Sequence, residues 1–413
     1  MTAKNNIPKG YKYSTMGIIP QEWDVKRVKD LGSVITGSTP PTADVSNYGS
    51  EYMFVSPADL SDNQKYVLST EKMLSSKGYA ISRKMPKGTL LYTCIGSTIG
   101  KIGIASRELT SNQQINAVIC NDKTEYLYYA LLFTTGRIKM LAGEQAVPII
   151  NKSEFENIKL AVPSPEEQRK IAEILGVWDE AIEKQSRLIE KLELRKRALM
   201  QRLLTGRTRL PGFTTPWQKV KLGEICKRVT RRNEENNQNV MTISAQKGFV
   251  SQTDFFNKSV ASSTLDNYYL VLKDEFCYNK SYSNGYPMGA IKRLKEADKA
   301  VVTTLYICFS ITDKQKLSID FFEQYCENGE LNQGLMKIAN EGGRAHGLLN
   351  VTPTDFFSLV MLLPTLPEQK AIAEVLTTAD DEIATHRKKL DALRLQKRGL
   401  MQQLLTGKTR VKI

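Results

Sequence analysis

EQRKIAEILGVWDEAIEKQSRLIEKLELRKRALMQRLLTGRTR, Glu167 to Arg209, returns without a gap as EQKAIAEVLTTADDEIATHRKKLDALRLQKRGLMQQLLTGKTR, Glu368 to Arg410. The offset is a constant 201 residues. Two copies that far apart divide the 413-residue chain into variable region, helix, variable region, helix. Each copy opens on a capping box, Ser164-Pro165-Glu166-Glu167 and Thr365-Leu366-Pro367-Glu368. There the hydroxyl accepts from an orphan backbone N–H while the glutamate three residues on reaches back. Each closes on Thr205-Gly206 or Thr406-Gly407, where glycine takes the left-handed cap.

Between those signals apolar residues alternate in steps of four and three. In the first copy they are Ile171, Leu175, Trp178, Ile182, Ile189, Leu192, Leu199 and Leu203. In the second they are Ile372, Leu376, Ala379, Ile383, Leu390, Leu393, Leu400 and Leu404. That is a heptad seam, the pattern of helices packed as a coiled coil. Gln185 with His386, and Lys196 with Lys397, hold its polar positions, which fix register rather than perform chemistry. A helix of this length spans roughly 60 Å.

The intervening halves echo one another at their ends. Trp23 precedes Val28-Lys29-Asp30-Leu31-Gly32, as Trp217 precedes Val220-Lys221-Leu222-Gly223-Glu224. Ile149-Ile150-Asn151 matches Leu348-Leu349-Asn350. Their middles differ and read as β-rich: Leu90 to Ile95 and Val301 to Phe309 are apolar, β-branched runs between polar turns. The expected organisation is an α+β domain over residues 1–162, a long helix within 163–210, a second α+β domain over 211–363 and a second helix within 364–413.

Composition limits what such a chain can do. Net charge is +14, from 58 Lys and Arg against 44 Asp and Glu, so polyanions are attracted and nucleic acid is the leading partner. No stretch reaches the length and apolarity of a membrane span, and the polar N-terminus lacks a secretory core, so a cytoplasmic location is expected. Six scattered cysteines and two histidines, His346 and His386, give neither a zinc spacing nor a Ser/His/Asp set, and no metal or catalytic residue is expected. Gly96-Ser97-Thr98-Ile99-Gly100-Lys101 fails as a phosphate loop, having three residues between the glycines and no Ser or Thr after the lysine. It suits a turn approaching DNA, with Ser97, Thr98 and Lys101 as contacts.

Asn112, Gln113 and Gln114 are amides able to pair with adenine in the major groove, or to bind the domain's own loops. In the second half Lys280, Ser281, Tyr282, Tyr286, Lys292 and Arg293 interleave cations with aromatics and hydroxyls, a mixture that serves phosphates and bases or a solvated hairpin. Arg231, Arg232 and Arg344 are further phosphate or guanine candidates.

The order of parts resembles the specificity subunit of type I restriction–modification systems. So do the endings LMQRLLTGRTRLPGF and LMQQLLTGKTR and the entries PSPEEQRKIAEIL and LPEQKAIAEVL. ITGSTP (Ile35–Pro40, with Thr39), IGSTIGKIGI, SNQQINAVI and YNKSYSNGYPMGAIKRL look like that family's target-recognition domains. The resemblance implies two target-recognition domains separated by two long helices in an antiparallel coiled coil, with pseudo-twofold symmetry. Each domain would read one half of a split, asymmetric double-stranded DNA site. Two methyltransferase subunits binding S-adenosylmethionine would dock on the chain, joined by ATP- and Mg-dependent translocase–nuclease subunits. All catalysis would lie in those partners. The alternatives are a related bipartite system whose partner fuses methyltransferase and nuclease, and a structural coiled-coil adaptor.

Overall fold

The fold is taken from a computed structural model, which describes residues 7–61, 64–120, 123–142, 147–252, 265–341 and 349–413. The chain divides into two compact units, Met1–Ile189 with His386–Ile413, and Glu190–Thr385. The long helices Pro165–Leu203 and Leu366–Leu405 each contribute one part to each unit.

In the first unit, a five-stranded sheet runs in the order Ser33–Thr36, Ile115–Ile119, Leu90–Thr93, Ile102–Ala105, Tyr66–Val67. Neighbours are antiparallel except the last pair. Its central strands are buried throughout, as continuous apolar, β-branched runs require. A second sheet centres on Tyr48–Val55. Helix Thr124–Leu141 buries Tyr126, Leu127, Tyr129 and Leu131. Its core is continuous with Ile171, Ala172 and Leu175 of the first long helix and Met401, Leu404 and Leu405 of the second.

The second unit repeats the plan. Its four-stranded sheet runs Cys226–Arg228, Ile307–Ile311, Phe276–Asn279, Ala290–Arg293, matching the first four strands of its counterpart. The pair Gln218–Lys221 with Val360–Leu363 matches Asp24–Arg27 with Lys159–Val162. Phe276, Phe309, Phe322 and Phe356 fill its core together with Met200, Leu203, Ile372 and Leu376 of the long helices. The run from Val301 to Phe309 is not one strand. It is cut into Lys299–Val302 and Ile307–Ile311 by a turn closed by Tyr306 N–H on the Thr303 carbonyl, 3.3 Å.

Within each unit the long helices pair antiparallel, numbering rising along one as it falls along the other. In the first, Lys397 Nζ meets Asp179 Oδ1 at 2.5 Å and Gln185 Nε2 donates to the His386 carbonyl at 2.9 Å. In the second, Lys196 Nζ meets Asp380 Oδ1 at 2.6 Å. Ile171, Leu175, Ile182, Ile189, Leu390 and Leu404 are buried in the first unit, with Trp178, Leu393 and Leu400 half-buried. In the second, Leu192, Leu203, Ile372, Leu376 and Ile383 are buried and Leu199 half-buried. Gly206 and Gly407 stop the helices at φ +69° and +70°.

The entries are built differently from the expected boxes. Ser164 Oγ does accept from Glu167 N–H, at 3.3 Å. Glu167 itself turns inward, accepting from Trp23 Nε1 at 3.0 Å and from Arg410 Nε at 2.8 Å. Glu368 likewise receives Arg209, at 2.5 and 2.7 Å. A bidentate guanidinium outcompetes a single reach-back bond, since both partners are charged.

Candidate nucleic-acid interface

In the first unit, three loops converge at one end of the five-stranded sheet. Gly37 N–H bonds the Ile115 carbonyl at 3.0 Å and Ser38 N–H the Ser111 carbonyl at 2.8 Å, laying 37–39 along 111–115. The exposed Thr39 hydroxyl then donates to Gln113 Oε1. Asn112 Nδ2 donates to Gln114 Oε1 at 2.9 Å, and Asn112 Oδ1 accepts Gln114 N–H at 3.1 Å. Cys94 N–H on the Gln114 carbonyl, 2.8 Å, draws in the turn that carries Ser97 and Thr98. Thr39, Asn112, Gln113 and Gln114 thus form one amide-rich surface with fixed orientations. Lys101 Nζ instead donates to the Pro57 carbonyl at 3.1 Å.

Gly37 is the tightest point of this surface: a Cβ there would lie 2.1 Å from the Asn112 carbonyl oxygen. Gly37→Ala is therefore expected to push 111–115 away, costing about 1–3 kcal/mol by overpacking. Gly88→Ala, where a Cβ meets nothing within 4 Å but φ is +84°, serves as a strain-only control. Denaturant melts of the two variants compare them, and equal losses would show that the 37/112 contact is loose.

In the second unit the candidates separate into groups. Arg293 is held by three carboxylates, Asp274 at 2.5 Å, Asp320 at 2.6 Å and Glu323 at 3.3 Å. Lys292 bonds Glu327 at 2.5 Å and the Tyr286 hydroxyl at 3.2 Å, and Tyr286 donates to the same glutamate. Arg231 pairs with Glu275 at 3.2 Å. Arg232 lies 5.1 Å over the Tyr269 ring and bonds the Asn267 carbonyl. Lys280 is half-buried, its ammonium pushed below the usual lysine range by desolvation, with no carboxylate partner among the described residues. Beside it Tyr282 is 63% exposed and Ser281 half-buried. Arg344 lies outside the described residues.

Sequence reasoning passed over the groups that surround Ser281. A cavity of about 320 Å³ brings Ser281 and Ser283 together with Thr242, Ser244 and Gln246 and with Thr303 and Leu305. No motif in the sequence marks them, because the fold gathers them from three separate segments, 242–246, 279–283 and 303–306.

All six cysteines are free thiols, and burial pushes Cys94 and Cys226 up to about 12. Among the described residues there is no cluster of His, Cys, Asp and Glu able to hold a metal ion, and no helix long and apolar enough to cross a membrane.

Comparison with known proteins gives a consistent picture. The family model described as "Type I restriction modification DNA specificity domain" matches residues 20–194 and again 215–395. The chain is similar to the type I restriction enzyme MjaIX specificity subunit of Methanocaldococcus jannaschii, 36% identical over 196 residues, 45% of each chain. That match spans under half of the relative's length. The MjaVIII specificity subunit of the same organism is 24% identical, over 95% of this chain and 94% of its own. The HindI specificity subunit of Haemophilus influenzae is 32% identical over 46% of this chain and 42% of its own. In fold, the chain resembles a type I restriction–modification S subunit from M. genitalium, with TM-score 0.56, 16% identity and 98% coverage of both chains. A structure from work on assembly and conformational transition of the type I R-M system gives 0.55 and 15%, covering 95% of this chain and 99% of that one.

Proposed function

The chain belongs to the type I restriction–modification DNA specificity family, and from that premise we propose that it reads a bipartite, asymmetric site on double-stranded DNA, one half through each unit. The observation that carries this reading is duplication with divergence. Both units keep the same four-strand order and the same helix entries and stops, while the loops at the sheet ends carry different side chains. A scaffold conserved between halves with altered contact groups is what two different recognition sequences require. One module reading a few base pairs discriminates weakly, since each mismatch costs only about 1–3 kcal/mol. Two linked modules combine their discrimination and raise each other's effective concentration.

Methylation and cleavage would be supplied by partners: two methyltransferase subunits carrying S-adenosylmethionine, and ATP- and Mg-dependent translocase–nuclease subunits. The role of this chain is to place them. The deciding experiment is co-expression with the methyltransferase encoded beside it, in a host without other adenine methylation, followed by mapping of methyladenine. A split motif with a constant gap, absent without this chain, supports the reading. An assembled complex that leaves no new methylation sinks it and favours the coiled-coil adaptor.

The helices would set the unread gap. Inserting four residues before Thr205 adds about 6 Å of helix, and the mapped motif should gain one to two base pairs between its halves. An unchanged gap would count against a helical ruler.

A further inference from the structure

We propose that the 320 Å³ cavity of the second unit is a base-reading pocket, and that Gln246, Ser281 and Thr303 determine the sequence of the second half-site. The inference rests on the DNA-reading function above and assigns residues to it.

Chemistry of the lining sets this pocket apart from the charged surfaces around it. Among the described residues, none that lines it is charged; hydroxyls and amides supply its polar groups. A phosphate site needs cations, whereas base edges are told apart by ordered donors and acceptors. The groups here are oriented. Gln246 Nε2 is tied to the Asn284 carbonyl at 3.0 Å, which leaves Oε1 as an acceptor without a partner among the described residues. Asn279 Nδ2 bonds the Ile243 carbonyl at 3.2 Å and its Oδ1 takes Ser281 N–H at 3.1 Å, so Asn279 positions Ser281. The Ser281 hydroxyl has no hydrogen-bond partner among the described residues. Thr303 Oγ1 accepts from Leu305 N–H at 3.3 Å, which leaves its proton free to donate. Leu305, 61% exposed, offers an apolar contact of the kind that suits a thymine methyl. Tyr306, buried beneath, pins the facing turn through Thr242 Oγ1 at 3.0 Å.

The fold supports the same assignment independently. Tyr92 pairs with Asn116 in one sheet as Tyr278 pairs with Ile307 in the other. Counting back along each strand, Thr303-Thr304-Leu305 stands where Asn112-Gln113-Gln114 stands in the first unit. Both segments close with the same turn, Ile115 N–H on the Asn112 carbonyl at 3.2 Å and Tyr306 N–H on the Thr303 carbonyl at 3.3 Å. One frame therefore presents three amides in one unit, and two hydroxyls with a leucine in the other.

The test uses the full chain with its methyltransferase and the methyladenine map. Gln246 is exposed, so Gln246→Ala leaves the core alone; Thr303→Val removes the hydroxyl at nearly constant shape. Each is expected to relax one or two positions of the second half-site, by roughly 2- to 12-fold in discrimination, the worth of a single hydrogen bond, with the first half and the gap unchanged. Both motifs intact overturns the assignment and leaves the bipartite reading standing. Methylation lost evenly at all sites from an assembled complex also overturns it, because the residues then supply affinity alone. A wild-type complex without any split motif overturns the functional reading itself.

Discussion

Arg410→Ala will destabilise the first unit by about 3 kcal/mol, because it strands Glu167 in the core with one hydrogen bond among the described residues. The carboxylate is 1% exposed and takes two bonds from Arg410, at 2.8 and 3.0 Å, against one from Trp23 Nε1 at 3.0 Å. Arg410 is itself 40% exposed, so solvent screens part of the pair and the low end of the range for a broken buried pair applies. In a unit of this size that loss lowers the melting midpoint by roughly 6–12 °C.

The sign of a double substitution makes the argument specific. Adding Glu167→Ala to Arg410→Ala removes the uncompensated buried charge and leaves the Trp23 N–H as the buried group unpaired, a cost of about 1–3 kcal/mol; Glu22, which also loses Arg410, is exposed in both variants. The double variant should therefore melt higher than Arg410→Ala alone. In the second unit Arg209→Ala should cost at least as much, since Glu368 is 0% exposed and Arg209 is the one donor to it among the described residues. Trp217 Nε1 has no partner there. Losses under about 1 kcal/mol, the worth of an exposed pair, would show that both carboxylates are solvated.

Those two clusters mark the limit of what the sequence displays. The long helices are legible because one local pattern, sustained for about forty residues, sets their length, seam and stop. The role of Glu167 is not, since its partner Arg410 lies 243 residues away and the local signal points to a capping box. The break at Thr303 is hidden because Thr-Thr-Leu-Tyr has strand propensity and carries neither glycine nor proline; tertiary pairing makes the turn. In the first unit Asn112-Gln113-Gln114 stands out as a run of amides. Its counterpart Thr303-Thr304-Leu305 does not, because divergence of contact chemistry erases the similarity that would reveal it. Charge misleads for a related reason. Lys292 and Arg293 look like phosphate ligands in one dimension, and only the fold brings Glu327, Asp274, Asp320 and Glu323 to them.

That charge pairing makes a prediction about DNA binding by the assembled methyltransferase complex. Each neutralised phosphate steepens the fall of log affinity against log salt by about 0.9. Six contacts would reduce affinity by roughly 10³ between 50 and 200 mM salt; an adaptor with incidental charge would show almost none of this. Lys280 is the cation in the second unit best placed to contribute. It is half-buried and desolvated with no carboxylate partner among the described residues, so a phosphate would relieve the cost of its burial. Lys280→Ala should flatten the salt slope by about one unit and weaken binding alike on all sequences. Arg293→Ala should leave the slope unchanged, because its charge is already balanced by three carboxylates, and should lower thermal stability by setting those carboxylates against one another. Titrations of duplex DNA at four salt concentrations separate the two. A slope that drops with Arg293→Ala and stays with Lys280→Ala would mean that the ion cluster opens on DNA and that Lys280 faces away from it.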